Sequence, residues 1–331
     1  MHAQSLDPWR HEHVFLGARH AQNERRSWAV VALCGMTMVA EIAGGWLWGS
    51  MALVAEGWHM STHAGALLIA AAAYAYARRH AHDARFAFGT GKLGDLAAFA
   101  SAIVLALIAL LIGVESAGRL LHPVAIAFDE AIPLAALGLA VNLVSAWLLQ
   151  DGHHEAGSHH HHDGHRHSHR HDHADHNLRA AYVHVLADAA VSVLALLGLA
   201  AASAFGWLWI DPVMGLVGMA VILNWSWRLV RDAGGVLLDT CPAPIARDIA
   251  RRLEGDGSDR ISDLHLWRVG PGHHAAVVSL VADEPQPPAF YKARLADIAG
   301  LSHVTIEVQP CGSGYQRAAP GQLLARASSA T

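Results

Sequence analysis

Two pairs of side chains able to ligate a metal, each pair spaced four residues apart, fall inside long apolar stretches. His59 and His63 lie in Met51–Ala77, and His184 and Asp188 lie in Ala180–Ala204. Residues at i and i+4 share a helix face, so each pair aims two ligands at one point. Two such helices side by side offer three imidazoles and one carboxylate, a ligand set that suits a divalent transition metal. Ionisable groups at membrane depth are costly and by default mark an ion or proton path. His59, His63, His184 and Asp188 are therefore the primary candidate metal site. The expected ion is a passing cargo, with no catalytic residue and no resident cofactor.

Composition agrees with that setting. Of 331 residues, 53% are hydrophobic and 15% charged, against roughly 25% charged in soluble domains. Histidine is the outlier, at 26 residues against 23 Lys and Arg together. The net charge of −5 comes with no basic stripe carrying interleaved aromatics, so no nucleic-acid partner is expected. Cys34, Cys241 and Cys311 form no motif, and Cys34 reads as a small buried hydrophobe. The polar start, with Arg10, His11 and His13, gives no sign of a cleavable signal peptide.

A helical span needs about 20 apolar residues. Six segments qualify: Trp28–Gly49, Met51–Ala77, Leu93–Gly118, Ala131–Leu149, Ala180–Ala204 and Leu208–Val230. A tight Gly49–Ser50 turn makes the first two a hairpin. Arg10, Arg19, Arg25, Arg26, Arg78, Arg79, Arg85, Lys92, Arg166, Arg170, Arg179 and Arg231 all fall on one side, and Arg119 alone on the other. The positive-inside rule then puts both termini in the cytoplasm, with Trp46, Trp48, Trp207 and Trp209 at the outer span ends. Both ligand pairs count to similar depths from opposite faces, so they meet near the midplane of a core about 30 Å thick.

Asp151–Asn177 is a low-complexity, His-rich tract that cannot build an apolar core and is expected to be disordered. His159, His160, His161 and His162 alone would look like a cloning tag. The alternation through His165, His167, His169, His171 and His173 points instead to weak, multivalent metal capture. From Pro242 the composition turns soluble. Helices at Pro244–Leu253 and Pro288–Ala299 and strands at Ile261–Val269, Ala275–Ala282 and Val304–Gln309 suit a small α+β domain. The expected organisation is a cytoplasmic N-terminus (1–27), a six-helix membrane bundle (28–239, with the tract at 151–177), a cytoplasmic domain (240–312) and a tail (313–331).

Several local runs resemble the cation diffusion facilitator family. They are Gly44-Gly45 with Gly49-Ser50-Met51-Ala52-Leu53, Glu56-Gly57-Trp58-His59-Met60, Phe88-Gly89-Thr90-Gly91-Lys92, Asn177-Leu178-Arg179-Ala180 before His184-Val185-Leu186-Ala187-Asp188, Asp211-Pro212, and Asp263-Leu264-His265-Leu266-Trp267. The resemblance covers nearly the whole chain. It implies a homodimeric metal–proton antiporter of the bacterial inner membrane, not an enzyme. Its fold would be six transmembrane helices and a small metallochaperone-like (ferredoxin-like) α+β cytoplasmic domain. It also implies a charge interlock between Lys92 and Asp239.

Departures from the family pattern bear on the cargo. Zinc-exporting relatives commonly carry an Asp where this chain has His63. With the N-terminal His11-x-His13-x-Phe15-Leu16-Gly17 segment, this resembles the cobalt/nickel efflux branch. Co²⁺ and Ni²⁺ are the favoured cargo on that resemblance and Zn²⁺ or Cd²⁺ the alternative, since imidazole-rich sites suit them all. His11, His13, Asp83, His159–His162, His265 and His303 are candidate accessory ligands, although Phe86 takes a usual ligand position in the Asp83 loop. Ser262, Ser279 and Glu307 stand where relatives often have histidines in the cytoplasmic domain. Glu41 and Asn142 are candidates for site tuning or proton movement, helix–helix hydrogen bonding being the commoner role for Asn142. Asp95 reads as interfacial. A membrane metalloprotease would need a Glu directly after the first ligand, where this chain has Met60. A non-transporting metal sensor or scaffold is the remaining alternative, and a midplane site in six spans argues against it.

Overall fold

The computed structural model describes residues 14–17, 19–48, 51–122, 128–150, 175–207, 209–255 and 257–311. They form two compact units, one of long helices reaching to Thr240 and including 268–273, the other α+β and built from the rest from Cys241 onward.

Six long helices make up the first unit: α1 (His20–Trp48), α2 (Met51–Arg79), α3 (Leu93–Leu121), α4 (Phe128–Leu149), α5 (His176–Phe205) and α6 (Ile210–Leu237). Five of them, all but α2, are long and apolar enough among the described residues to cross a membrane. The expected count of six spans therefore has five direct counterparts. The helices outrun the apolar segments because charged and polar turns extend them past the hydrocarbon length.

α1 packs on α2, α3 on α6, and α5 on both α4 and α6. Small residues allow the α3–α6 approach: a Cβ at Gly113 would lie 2.0 Å from Met219 Sδ, and one at Gly215 2.1 Å from Ser116 Oγ. Such close backbones are how membrane helices gain packing energy without a hydrophobic drive between them. Val30, Cys34, Met60, Leu67, Ala70, Leu149, Leu178, Ala181 and Val185 form a buried apolar cluster from α1, α2, α4 and α5.

Helix ends are set locally. Asp175 caps α5, its Oδ1 accepting from Asn177 N at 3.1 Å and Leu178 N at 3.3 Å. The His-rich tract, expected to run to Asn177, therefore gives way to helix at His176, and Asn177 is fully buried. At the other end Gly206 takes φ 71° and closes α5 by donating to Ala202 O. α6 ends in a Schellman motif, with Thr240 N donating to Gly235 O and Asp239 N to Val236 O. The left-handed residue there is Asp239, at φ 56°, where glycine is usual.

The second unit holds α7 (Ala243–Glu254), β1 (Arg260–Gly270), β2 (His273–Ala282), α8 (Pro288–Leu295) and β3 (Leu301–Pro310). The sheet order is β1-β2-β3, with β3 parallel to β2. α7 turns Ile245, Ile249 and Leu253 inward at four-residue spacing, against Val278 and Leu280 of β2 and Tyr291 and Leu295 of α8. The small α+β domain read from the sequence is present, each strand slightly longer than expected.

Candidate metal centre

α2 and α5 carry the candidate ligands. His63 stands twelve residues into α2, and His184 and Asp188 eight and twelve residues into α5. At 1.5 Å per residue these are depths of roughly 12–18 Å within helices whose length suits a bilayer.

His63, His184 and Asp188 are all buried, at 5%, 2% and 9% exposure. His63 Nδ1 lies 3.2 Å from His184 Nε2 and 2.9 Å from Asp188 Oδ2, and His184 Nε2 lies 3.6 Å from that same oxygen. The two rings cross edge to face, with centroids 5.4 Å apart. Donors around a tetrahedral ion bound at about 2.0–2.1 Å stand about 3.3 Å from one another. The observed spacings bracket that value, so the three atoms form one face of a tetrahedron. Among the described residues this is the one group of three such ligands that converges. His59 lies one turn before His63 on α2, and its side chain is outside the described residues.

Glu41 and Asn142 are buried in α1 and α4, at 3% and 7% exposure. Lys92 Nζ and Asp239 Oδ1 form an ion pair. The left-handed backbone at Asp239 turns the chain out of α6 at the residue whose carboxylate meets Lys92, which gives an aspartate a use there that glycine lacks.

The accessory candidates are less well placed. Asp83 is held by Arg85, Nη2 at 2.7 Å and Nε at 3.0 Å, and these hydrogen bonds lower its pKa to about 2. A carboxylate gripped by a guanidinium has little left for a cation. His265 pairs with Asp263 at 2.8 Å on an exposed surface, and His303 sits on β3. Ser262 Oγ donates to Ser279 O, and Ser279 Oγ to Glu307 Oε2. Those three positions thus meet on the sheet, but two hydroxyls and one carboxylate make a poor transition-metal set. His11, His13 and His159–His162 lie outside the described residues.

Two polar groups escaped the sequence reading. Asp95, expected to be interfacial, is 2% exposed and lies 2.8 Å from His176 Nδ1. Asp175, taken as part of the tract, bonds Tyr74 and Asn23. An aspartate two residues before Asn177-Leu178 at the head of an apolar run is a capping signal that could have located Asp175.

A family model for the cation efflux transmembrane domain matches residues 27–238. The zinc transporter ZitB of Yersinia pestis is 32% identical over 320 residues, covering 90% of this chain and 93% of its own. The cadmium, cobalt and zinc/H(+)-K(+) antiporter of Bacillus subtilis (strain 168) is 28% identical, covering 89% and 92%. The metal cation efflux system protein CzcD of Cupriavidus metallidurans is 31% identical over the same shares.

Proposed function

Because the chain belongs to the cation diffusion facilitator family of cation efflux transporters, which are not enzymes, we propose that it exports Zn²⁺, with Cd²⁺ and Co²⁺ within its range. The convergence of His63, His184 and Asp188 on one buried point carries this reading. His59, one turn away on the same face, completes the ligand set. The relatives' names favour zinc-type cargo over the cobalt/nickel preference that His63 suggested: two of the three include zinc, and one adds cadmium and cobalt.

α2, with its 29 residues, is the sixth span. An even count leaves both termini on one side, and the Lys and Arg distribution makes that side cytoplasmic in a bacterial inner membrane. The functional unit is a homodimer. Ligands must be deprotonated to bind, so metal loading releases protons, and outside protons reclaim the ligands and expel the ion. The Bacillus subtilis relative, named as an antiporter, supports that exchange. The His-rich tract is accessory and concentrates metal near the pathway.

Purified protein in liposomes should take up Zn²⁺ and Co²⁺ saturably, read by a metal-sensitive dye sealed inside. Uptake of none of these metals by inserted protein contradicts the reading. Deleting residues 153–173, which spares the Asp175 cap, should raise the half-saturating concentration and leave the maximal rate nearly intact. A lost maximal rate places the tract in the pathway itself.

A further inference from the structure

The metal site is one rung of a longer seam between α2 and α5. The helices run antiparallel: His63 faces His184 and Asp188, and two turns further along α2 the carbonyl oxygen of Ala70 accepts from Asn177 Nδ2 at 2.9 Å. One turn beyond, the Tyr74 hydroxyl donates to Asp175 Oδ2 at 2.5 Å. Residues seven and eleven apart share a helix face, so His63, Ala70 and Tyr74 line one stripe of α2. Asn177, His184 and Asp188 line the matching stripe of α5.

Asp175 joins three helices at the end of that seam. Its Oδ1 caps α5, and its Oδ2 takes Tyr74 of α2 and, at 2.8 Å, Asn23 Nδ2 of α1. Tyr74 is 3% exposed, Asn23 4% and Asn177 0%. His20 Nε2, 3.0 Å from the Tyr74 carbonyl, packs its ring edge-on against the Tyr74 ring. Tyr74, Asn23 and Asn177 are thus withdrawn from solvent at the end of the seam where α5 begins. An ion travelling from that side between α2 and α5 meets Tyr74 and Asp175 before it meets His63.

We propose that Asp175, with Tyr74 and Asn23, is the gate that closes the metal site toward the tract side, and that this structure is its closed state. The proposal rests on the transport reading above, in which that side is cytoplasmic. Asp175 acts as a positioning residue. Its bonds hold the inner ends of α1, α2 and α5 together, and they do so while His63 Nδ1 lies within reach of Asp188. Side-chain hydrogen bonds of this kind are individually modest, so they can part and re-form in each cycle. Parting them spreads α2 from α5 where the seam ends and opens a way to the ligands.

Tyr74→Phe removes one hydroxyl and keeps the ring packing, which makes it the clean probe. With Zn²⁺ supplied on the tract side of liposomes, its half-saturating concentration should fall about fivefold, the scale of one hydrogen bond. With Zn²⁺ supplied on the opposite side it should stay unchanged. Asn23→Ala should shift it in the same direction. A merely structural role lowers the amount of folded protein and the maximal rate without a one-sided shift in half-saturation. An unshifted or two-sided response in both variants overturns the gate. Failure of the unmodified protein to move any metal counts against the transport reading instead. As a second arm, Tyr74→Cys with Asp175→Cys, in a chain freed of Cys34, Cys241 and Cys311, should lose flux at least tenfold when bridged by a short bismaleimide. A single-headed maleimide should not have that effect. A bridged protein that still transports also overturns the proposal.

Discussion

Alanine at position 188 should cut Zn²⁺ and Co²⁺ flux by on the order of 100-fold or more, beyond what is lost when only a ligand's outer support is changed. Asp188 Oδ2 is the atom both imidazoles share, 2.9 Å from His63 Nδ1 and 3.6 Å from His184 Nε2. It is also the only anionic donor among the three that converge. Without it the site holds neutral rings alone, and a divalent ion leaving water would gain no compensating charge. Asp188→Asn keeps the shape and one oxygen and should fall between wild type and alanine. The variants are compared in liposomes at matched protein insertion, read by dye uptake. Near-normal flux in Asp188→Ala would show that the ion passes elsewhere.

A change of His63 to Asp should re-rank the metals without stopping transport. His63 contributes Nδ1 to the ligand face, and the swap replaces that nitrogen with a charged oxygen. Nitrogen donors make the site less anionic and tilt it toward borderline metals, without excluding zinc by affinity. The ratio of Zn²⁺ to Co²⁺ flux should rise by at least about tenfold, the lower bound seen when only a ligand's outer partners change. Competitive uptake of the two ions in wild type and variant measures it. An unchanged ratio would remove position 63 as the selector and leave metal choice to the conformational change.

That His63, His184 and Asp188 come together was legible because an acid or histidine at four-residue spacing within an apolar run has few uses other than a shared helix face. The α+β unit was legible for the same kind of reason: the four-residue stripe of Ile245, Ile249 and Leu253, and the alternation around Val278 and Leu280. What stayed hidden depends on contacts distant in sequence. Nothing near Lys92 and Gly94 says that Asp95 is buried, because its partner His176 is far along the chain in a segment dominated by histidine composition. That composition also masked the start of α5, where local capping chemistry at Asp175 outweighs the low-complexity trend. Asp239 was reached through family resemblance alone, since a Schellman end is expected to carry glycine. The cargo ranking ran ahead of the chemistry: an imidazole at position 63 tilts the site toward borderline metals without putting Co²⁺ and Ni²⁺ ahead of Zn²⁺, and the relatives' names favour zinc.

If side chains of α2 and α5 hold the cargo at one buried point, X-ray absorption at the zinc edge reads them as its neighbours. Protein lacking residues 153–173 would be loaded with one Zn²⁺ per chain and compared with its His184→Ala and Asp188→Ala forms. The zinc should show a four-coordinate shell of nitrogen and oxygen at about 2.0–2.2 Å, with imidazole scattering from three rings and no sulfur. One ring's share should vanish in His184→Ala, and the shell should be disrupted in Asp188→Ala. A spectrum containing sulfur, or one that is identical in all three proteins, would place the bound ion away from His63, His184 and Asp188.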